Sequence, residues 1–150
     1  MRRMTVSAVL VLLPVIAAAQ ARVQADNKAI ARRYFDEILN KGSAAAIDAI
    51  IAPDVVFRNP PALVKGIADF RRLVAALRGA FPDLHFTIED ELGEGNKVAS
   101  RWVMRGTQST RKMDVSGIDI FLIEDGKIRE IWVNMDTLAQ AQQLGTAPGP

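Results

Sequence analysis

Asp119 is the residue of this 150-residue chain whose type and setting could do chemistry. It stands in "SGIDIFLIE", between Ile118 and Ile120, in a run that reads as a strand. Successive side chains on a strand point to opposite faces. Gly117, Asp119, Phe121 and Ile123 therefore share one face, and Ile118, Ile120 and Leu122 the other. Neither face reads as a solvent face, which predicts a carboxyl in low-dielectric surroundings. Such a group must find partners, take a proton, or open onto a wet cavity. In a cavity, desolvation raises its pKa and makes it a stronger base or a neutral donor. Proton transfer beside a carbonyl needs one base near the carbon acid and one donor for the enolate oxygen. Asp119 can fill one of these roles, and the sequence supplies no clear residue for the other. A buried pair with an arginine or with backbone N–H groups is the competing structural reading, and both stay open at this level.

Other candidates carry a plainer reading beside the chemical one. Asn59 precedes Pro60 and Pro61, where turn chemistry explains it. Asp136 precedes a helical pattern and reads as its N-cap. His85 alternates with the polar Thr87 and Glu89 and reads as exposed. Trp102 and Trp132 could line a ligand cavity, although aromatic strand residues are more often core or interface. Met104, Met113 and Met135 add adaptable apolar lining. The chain has no cysteine and one histidine. Thiol catalysis and disulfides are excluded, and a His-rich metal site is not available. The expectation is a site with no metal and no cofactor.

The start of the chain, "MRRMTVSAVLVLLPVIAAAQARVQA", reads as a leader. Arg2 and Arg3 form a basic beginning, an apolar run follows from about Val6 to Ala19, and small residues offer cleavage sites ending at Ala19, Ala21 or Ala25. The run is shorter than the roughly 20 residues of a spanning helix. Residues 1–25 are thus expected to be a secretory signal peptide, 26–145 one domain, and 146–150 a loose tail, with the mature protein exported to the periplasm or secreted. Cleavage after Ala25 would remove Arg2, Arg3 and Arg22 and no acid, which takes 19 basic residues to 16 against 17 acidic, a net charge of −1. A near-neutral domain has no global electrostatic case for binding nucleic acid or, once the leader is gone, a membrane.

Helical spacing comes first along the chain and strands follow. "DNKAIARRYFDEILNKG" has an apolar stripe at Ile30, Tyr34, Phe35, Ile38 and Leu39, with Asp26 as candidate N-cap and Gly42 as stop. Ser43 can cap a second helix that turns Ile47, Ile50 and Ile51 inward. "DVVFRNPP" reads as a brief strand, and a third helix is expected over about Ile67 to Ala80. Next come "LHFTIEDEL", a turn at Gly93 to Asn96, "KVASRWVMRGTQ", "MDVSGIDIFLIE", the Asp125-Gly126 turn and "KIREIWVNM". Asp-Gly between apolar runs is a hairpin signal. A last helix carries Leu138, Ala141 and Leu144 and stops at Gly145. Helices before a meander of long strands predict an α+β domain. A strongly curved sheet around the helices would leave a cavity that Asp119 could face.

"NPP", "AFPDLHFTIED", "GIDIF…EDGKIREIW" and "DTLAQAQQLG", in this order, resemble the SnoaL-like polyketide or ester cyclases of the nuclear transport factor 2-like superfamily. The resemblance covers nearly all of residues 27–145. It implies a cone-shaped fold, with N-terminal helices packed on a curved, largely antiparallel sheet enclosing an apolar pocket, and a homodimer. It also implies that a histidine and an acid on neighbouring strands serve intramolecular aldol closure. In this chain Asp119 stands at the histidine position and Val133 at the acid position, so the cyclase pair is not intact. Ile131, two residues earlier on the same face, supplies no titratable group, and Asn59 matches a pocket asparagine. The Gly/Pro-rich loop that often precedes "GIDIF" is replaced by the short "QSTRKM". The expected site is Asp119 with a pocket of Asn59, Trp102, Ile131, Val133 and Met135.

Two function classes follow. One is a cofactor-independent cyclase or isomerase acting on a small apolar carbonyl compound, and the other a non-catalytic protein of the same fold that binds such a ligand or dimerises. Export with cleavage between Ala19 and Asp26 is the expectation checked most directly. The intact mass of secreted protein should lack the leader, and soluble protein still carrying Met1 to Gln20 would end it.

Overall fold

The structure, a computed structural model, describes residues 12–146. The first 11 residues of the expected leader and the last four of the tail lie outside the described residues. Helix α1 (Leu12–Arg33) continues into a six-residue π-helical turn (Tyr34–Leu39), and α2 (Ala44–Ile50) follows. Strand β1 (Ile51–Asn59) turns at a cis Pro60–Pro61 bond into the short β2 (Ala62–Lys65). Then come α3 (Ile67–Ala80), β3 (His85–Glu94), β4 (Lys97–Gln108), β5 (Arg111–Glu124), β6 (Lys127–Met135) and α4 (Thr137–Leu144). The six strands form one curved sheet in the order β2-β1-β6-β5-β4-β3. Every pairing is antiparallel except the parallel contact of β1 with β6. This is the expected α+β cone: α1 to α3 cover the inner face, and the outer face is left open.

The turns show why the strands pair in this register. Asp125 and Gly126 both take positive φ, 52° and 73°, the conformation of the two-residue turn whose twist matches its flanking strands. The β4–β5 turn is equally short, with Ser109 at φ 56°, and pairing runs unbroken from Gln108–Arg111 to Lys97–Leu122. Alternation then sorts the faces. Val98, Ser100, Trp102 and Met104 point inward from β4, and Met113, Val115, Asp119, Phe121 and Ile123 from β5, all buried. They meet Tyr34, Phe35, Ile38, Phe70 and Val74 from the helices in one core.

Side chains finish the ends and edges that the backbone leaves open. Ser43 accepts a hydrogen bond from the Ala46 N–H and caps α2. Asp136 accepts one from the Ala139 N–H at the start of α4, as expected, and Gly145 at φ 68° closes that helix. The Arg78 guanidinium donates to the Leu39 and Asn40 carbonyls at 2.6 and 2.7 Å, which satisfies the end of the π-helical turn. Gly42 follows at φ 67°, a backbone conformation that favours glycine. On the free edge of β3, the Asn40 amide accepts from the Phe86 N–H at 2.7 Å and donates to the Phe86 carbonyl at 3.0 Å. Lys28 donates to the Glu91 carbonyl, and Asn27 to that of Gly95.

Several expectations need correction. Asp26 caps nothing, because α1 starts upstream: the Ala-rich stretch before it is a strong helix former, and the helix runs through the expected cleavage window. No helix among the described residues is long and apolar enough to cross a membrane. Ile51 opens β1 instead of closing α2, and it is fully buried. β3 extends to Glu94, so the turn is Gly95-Asn96 alone. The outer face of β5 does meet solvent, with Ile118 44% and Ile120 40% exposed.

Candidate functional site

Asp119 points into the cone and is 2% exposed. Its position follows from the β4–β5 register, which sets Trp102 opposite Gly117 and Ser100 opposite Asp119. A Cβ at 117 would lie 2.4 Å from the Trp102 ring, so glycine is what lets the indole lie across β5. The indole Nε1–H then donates to Asp119 Oδ1 at 2.9 Å. The nearer neighbour does not help: Ser100 is fully buried, and its hydroxyl donates to Glu91 Oε1 at 3.1 Å, while Arg32 pairs with Glu91 Oε2 at 2.6 Å. No arginine reaches Asp119 among the described residues, which removes the structural ion-pair reading. The second carboxyl oxygen, Oδ2, has no hydrogen-bond partner among the described residues.

Asp119 lines a cavity of about 170 Å³ between sheet and helices. Asp119, Asn59, Trp102, Val133 and Met135 all line it. Ile131 does not: it is fully buried in the core, at the level of Phe121. Val133 lies directly opposite Asp119 on β6, and the β1–β6 register carried one residue beyond Arg58–Trp132 brings Asn59 level with Val133. Asp119, Val133 and Asn59 thus form one row across three strands. The Asn59 amide makes no hydrogen bond among the described residues. His85 is exposed on β3, and Trp132 lies half-buried on the outer face with the Lys97 ammonium 5.8 Å from its ring centroid. Met104 also lines the cavity, whereas Met113 belongs to the core.

Sequence reasoning missed Tyr34. It lines the same cavity, is 2% exposed, and its hydroxyl has no hydrogen-bond partner among the described residues. Its place depends on the π-helical turn, which turns Tyr34, Phe35, Ile38 and Leu39 all inward; such turns recur at functional sites. The spacing alone reads as an ordinary core stripe. The aromatic wall of Phe57, Phe70 and Phe86 was missed for the same reason, while Gln140 reaches in from α4.

Electrostatics separate the two polar groups. Burial pushes the Asp119 carboxyl up to about 7, against the lowering effect of the Trp102 hydrogen bond. Burial, and then the field of the Asp119 carboxylate, hold the Tyr34 hydroxyl well above its ordinary value, so it stays a neutral donor. Near neutral pH the cavity therefore holds one carboxyl that can give or take a proton and one phenol that can donate a hydrogen bond. Among the described residues, no cluster of His, Cys, Asp and Glu suits a metal ion.

A sequence model of the SnoaL-like polyketide cyclase family matches residues 29–144. The chain belongs to this family. Among solved structures, TsrD of Streptomyces laurentii shares 29% identity over 83% of this chain and 98% of its own, with a TM-score of 0.74. A candidate polyketide cyclase of Bacillus cereus shares 29% over 82% and 83%, also with a TM-score of 0.74. A candidate SnoaL-like polyketide cyclase of Jannaschia, at 24% over 85% and 96% with a TM-score of 0.77, shares the fold. No curated protein matches the chain.

The raised carboxyl has a thermodynamic signature. An Asp with pKa about 4 unfolded and about 7 folded binds more protons in the folded state between those values. Stability should therefore fall as pH rises from about 4 to about 7, by on the order of 4 kcal/mol. Asp119→Asn keeps shape and can still accept from Trp102. Denaturant melts should show the variant matching the parent below pH 4, lacking the decline, and exceeding the parent above pH 7.

Proposed function

We propose that the cavity binds a small apolar molecule bearing a carbonyl, and that Asp119 moves the proton beside that carbonyl while Tyr34 faces its oxygen. The observation that carries this reading is the lone carboxyl lining the cavity, poised near neutral pH with one oxygen unpartnered among the described residues. Ionised Asp119 takes a proton from the carbon next to the carbonyl, the C–H electron pair passes into the enolate, and the Tyr34 O–H donates to the oxygen that gains charge. Return of the same proton to another carbon completes an isomerisation with atoms and charge balanced and no cofactor. Aldol ring closure needs in addition an acid for the alkoxide, and the position opposite Asp119 is Val133. Cyclase turnover is therefore expected to be weak or absent. Val133 also favours the second reading, a protein that binds the same ligand without turning it over. Export of the domain is part of the proposal, supported by the leader-like start.

Deuterium exchange beside the carbonyl of a bound ketone, followed by NMR, tests the chemistry. The parent should accelerate it, Asp119→Asn should abolish it, and Tyr34→Phe should slow it by about 10²-fold or more with binding retained. Binding without exchange in the parent would leave the binder alone standing, and exchange that survives Asp119→Asn would show that another group is the base. Val133→Asp restores an acid, and cyclase turnover gained there but absent from the parent would mark a pocket that kept its shape and lost that reaction.

Pairing of two copies through the outer sheet face belongs to the same proposal, supported by the exposed Ile118 and Ile120 beside the half-buried Leu122 and Trp132. Sedimentation should show a dimer that Ile120→Arg splits; a parent that stays monomeric at high concentration would exclude it.

A further inference from the structure

We propose that the cavity accepts a molecule built on a single six-membered ring, with an oxygen at the Asp119 end and a second polar substituent at the Asn59 end, and that it excludes fused two- and three-ring skeletons. This rests on the reading of the cavity given above and narrows it to a substrate class.

Size is the first argument. The cavity holds about 170 Å³. An apolar cavity of about 150 Å³ takes one benzene, whereas drug-sized ligands occupy about 300–1,000 Å³. One ring with small substituents fits, and the same substituted ring enlarged by a second fused ring does not. The walls resist widening. The Phe70 ring centre lies 6.2 Å from those of both Tyr34 and Phe57, and Phe86 lies 5.1 Å from Trp102 in an edge contact. These rings pack against one another and into the core, so dilating the cavity would force them out of their rotamers.

The second argument is the placing of polar groups. Asp119 and Asn59 sit on β5 and β1 with the apolar Val133 between them. Neighbouring strands lie about 4.8 Å apart, so the two anchors stand about 10 Å apart along the floor. A ring with polar groups at opposite positions bridges that span. Its carbonyl oxygen faces the Tyr34 hydroxyl with the adjacent carbon beside Asp119, its flat face lies on Val133, and its far substituent meets the Asn59 amide, which can donate or accept. Leaving that amide unpaired against an apolar ligand end is unfavourable, which gives Asn59 a role in selection.

Calorimetric titration of the purified protein with a graded set of ketones tests this. The probes are acetophenone, para-hydroxyacetophenone, a hydroxyacetonaphthone and a hydroxyanthraquinone. The expected result is tightest binding of para-hydroxyacetophenone, about tenfold weaker binding of acetophenone, and none of the two-ring or three-ring probe. Asn59→Leu should bring para-hydroxyacetophenone down to the level of acetophenone, and Leu73→Ala, which opens the α3 wall, should recover the two-ring probe. Two- or three-ring probes binding as tightly as one-ring probes would overturn the size limit and leave the carbonyl-binding reading standing. Equal affinities for the two acetophenones, unchanged by Asn59→Leu, would overturn the second anchor. Silence from every probe would overturn the carbonyl-binding reading and this inference with it.

Discussion

The hydrogen bond from the Trp102 indole to Asp119 is the constraint on which the rest of the site depends. A carboxyl buried this deeply destabilises the ionised fold, and one N–H offsets only part of that. Its geometry requires Gly117, because any side chain there would push the indole away from β5. It also requires the unbroken β4–β5 register, since a slip of one residue would turn Asp119 to the outer face. Trp102 holds one carboxyl oxygen, and the other has no partner among the described residues. An ordinary core would have a hydrocarbon at 119, so a carboxyl retained at an energetic penalty reads as a site and not as packing.

Around that bond the cavity divides into a polar row and an apolar wall. Asp119, Val133 and Asn59 cross three strands in register, Tyr34 approaches from the helical side, and α3 with the phenylalanines fills the rest. Family membership sets this frame, and the residues at the frame's reactive positions then separate one chemistry from another. The residue opposite Asp119 is Val133, so this row of the cavity carries a single titratable side chain. In the proposed reading the near-neutral carboxyl and the phenol that stays protonated divide the work, because enolate chemistry asks for one group that ionises and one that does not.

Much of this was legible in the sequence because short-range rules dominate where they apply. Asp125-Gly126 fixed a hairpin, Ser43 and Asp136 capped their helices, and the alternation of β5 put Asp119 on the same face as Phe121. Other features depend on distant parts of the chain. Whether Ile118 and Ile120 meet solvent is decided by what covers the outer sheet, and nothing in a strand's own pattern says so. Tyr34 was read as one more core position, because a π-helical turn and an α-helical turn offer nearly the same stripe and differ only in which residue ends nearest Asp119. Ile131 shares the face and parity of Val133, yet it pairs with Phe121, two residues along from Asp119, and is covered by the core. α1 was cut at Asp26 because capping is a local signal, while helix extension through "AAAQARVQA" is a sum over many residues.

The side chains laid along β3 have a consequence for how the protein behaves in a crowded compartment. A ten-residue strand at the edge of a sheet is a template on which other chains can add and aggregate. Here Asn40 occupies both backbone groups of Phe86, Lys28 takes the Glu91 carbonyl and Asn27 that of Gly95. These three side chains come from the first helical segment and its end, and all lie beyond Ala25. Removal of a leader at any of the expected positions would leave that guard intact, so the strand stays blocked against intermolecular pairing in the processed chain as in the full-length one.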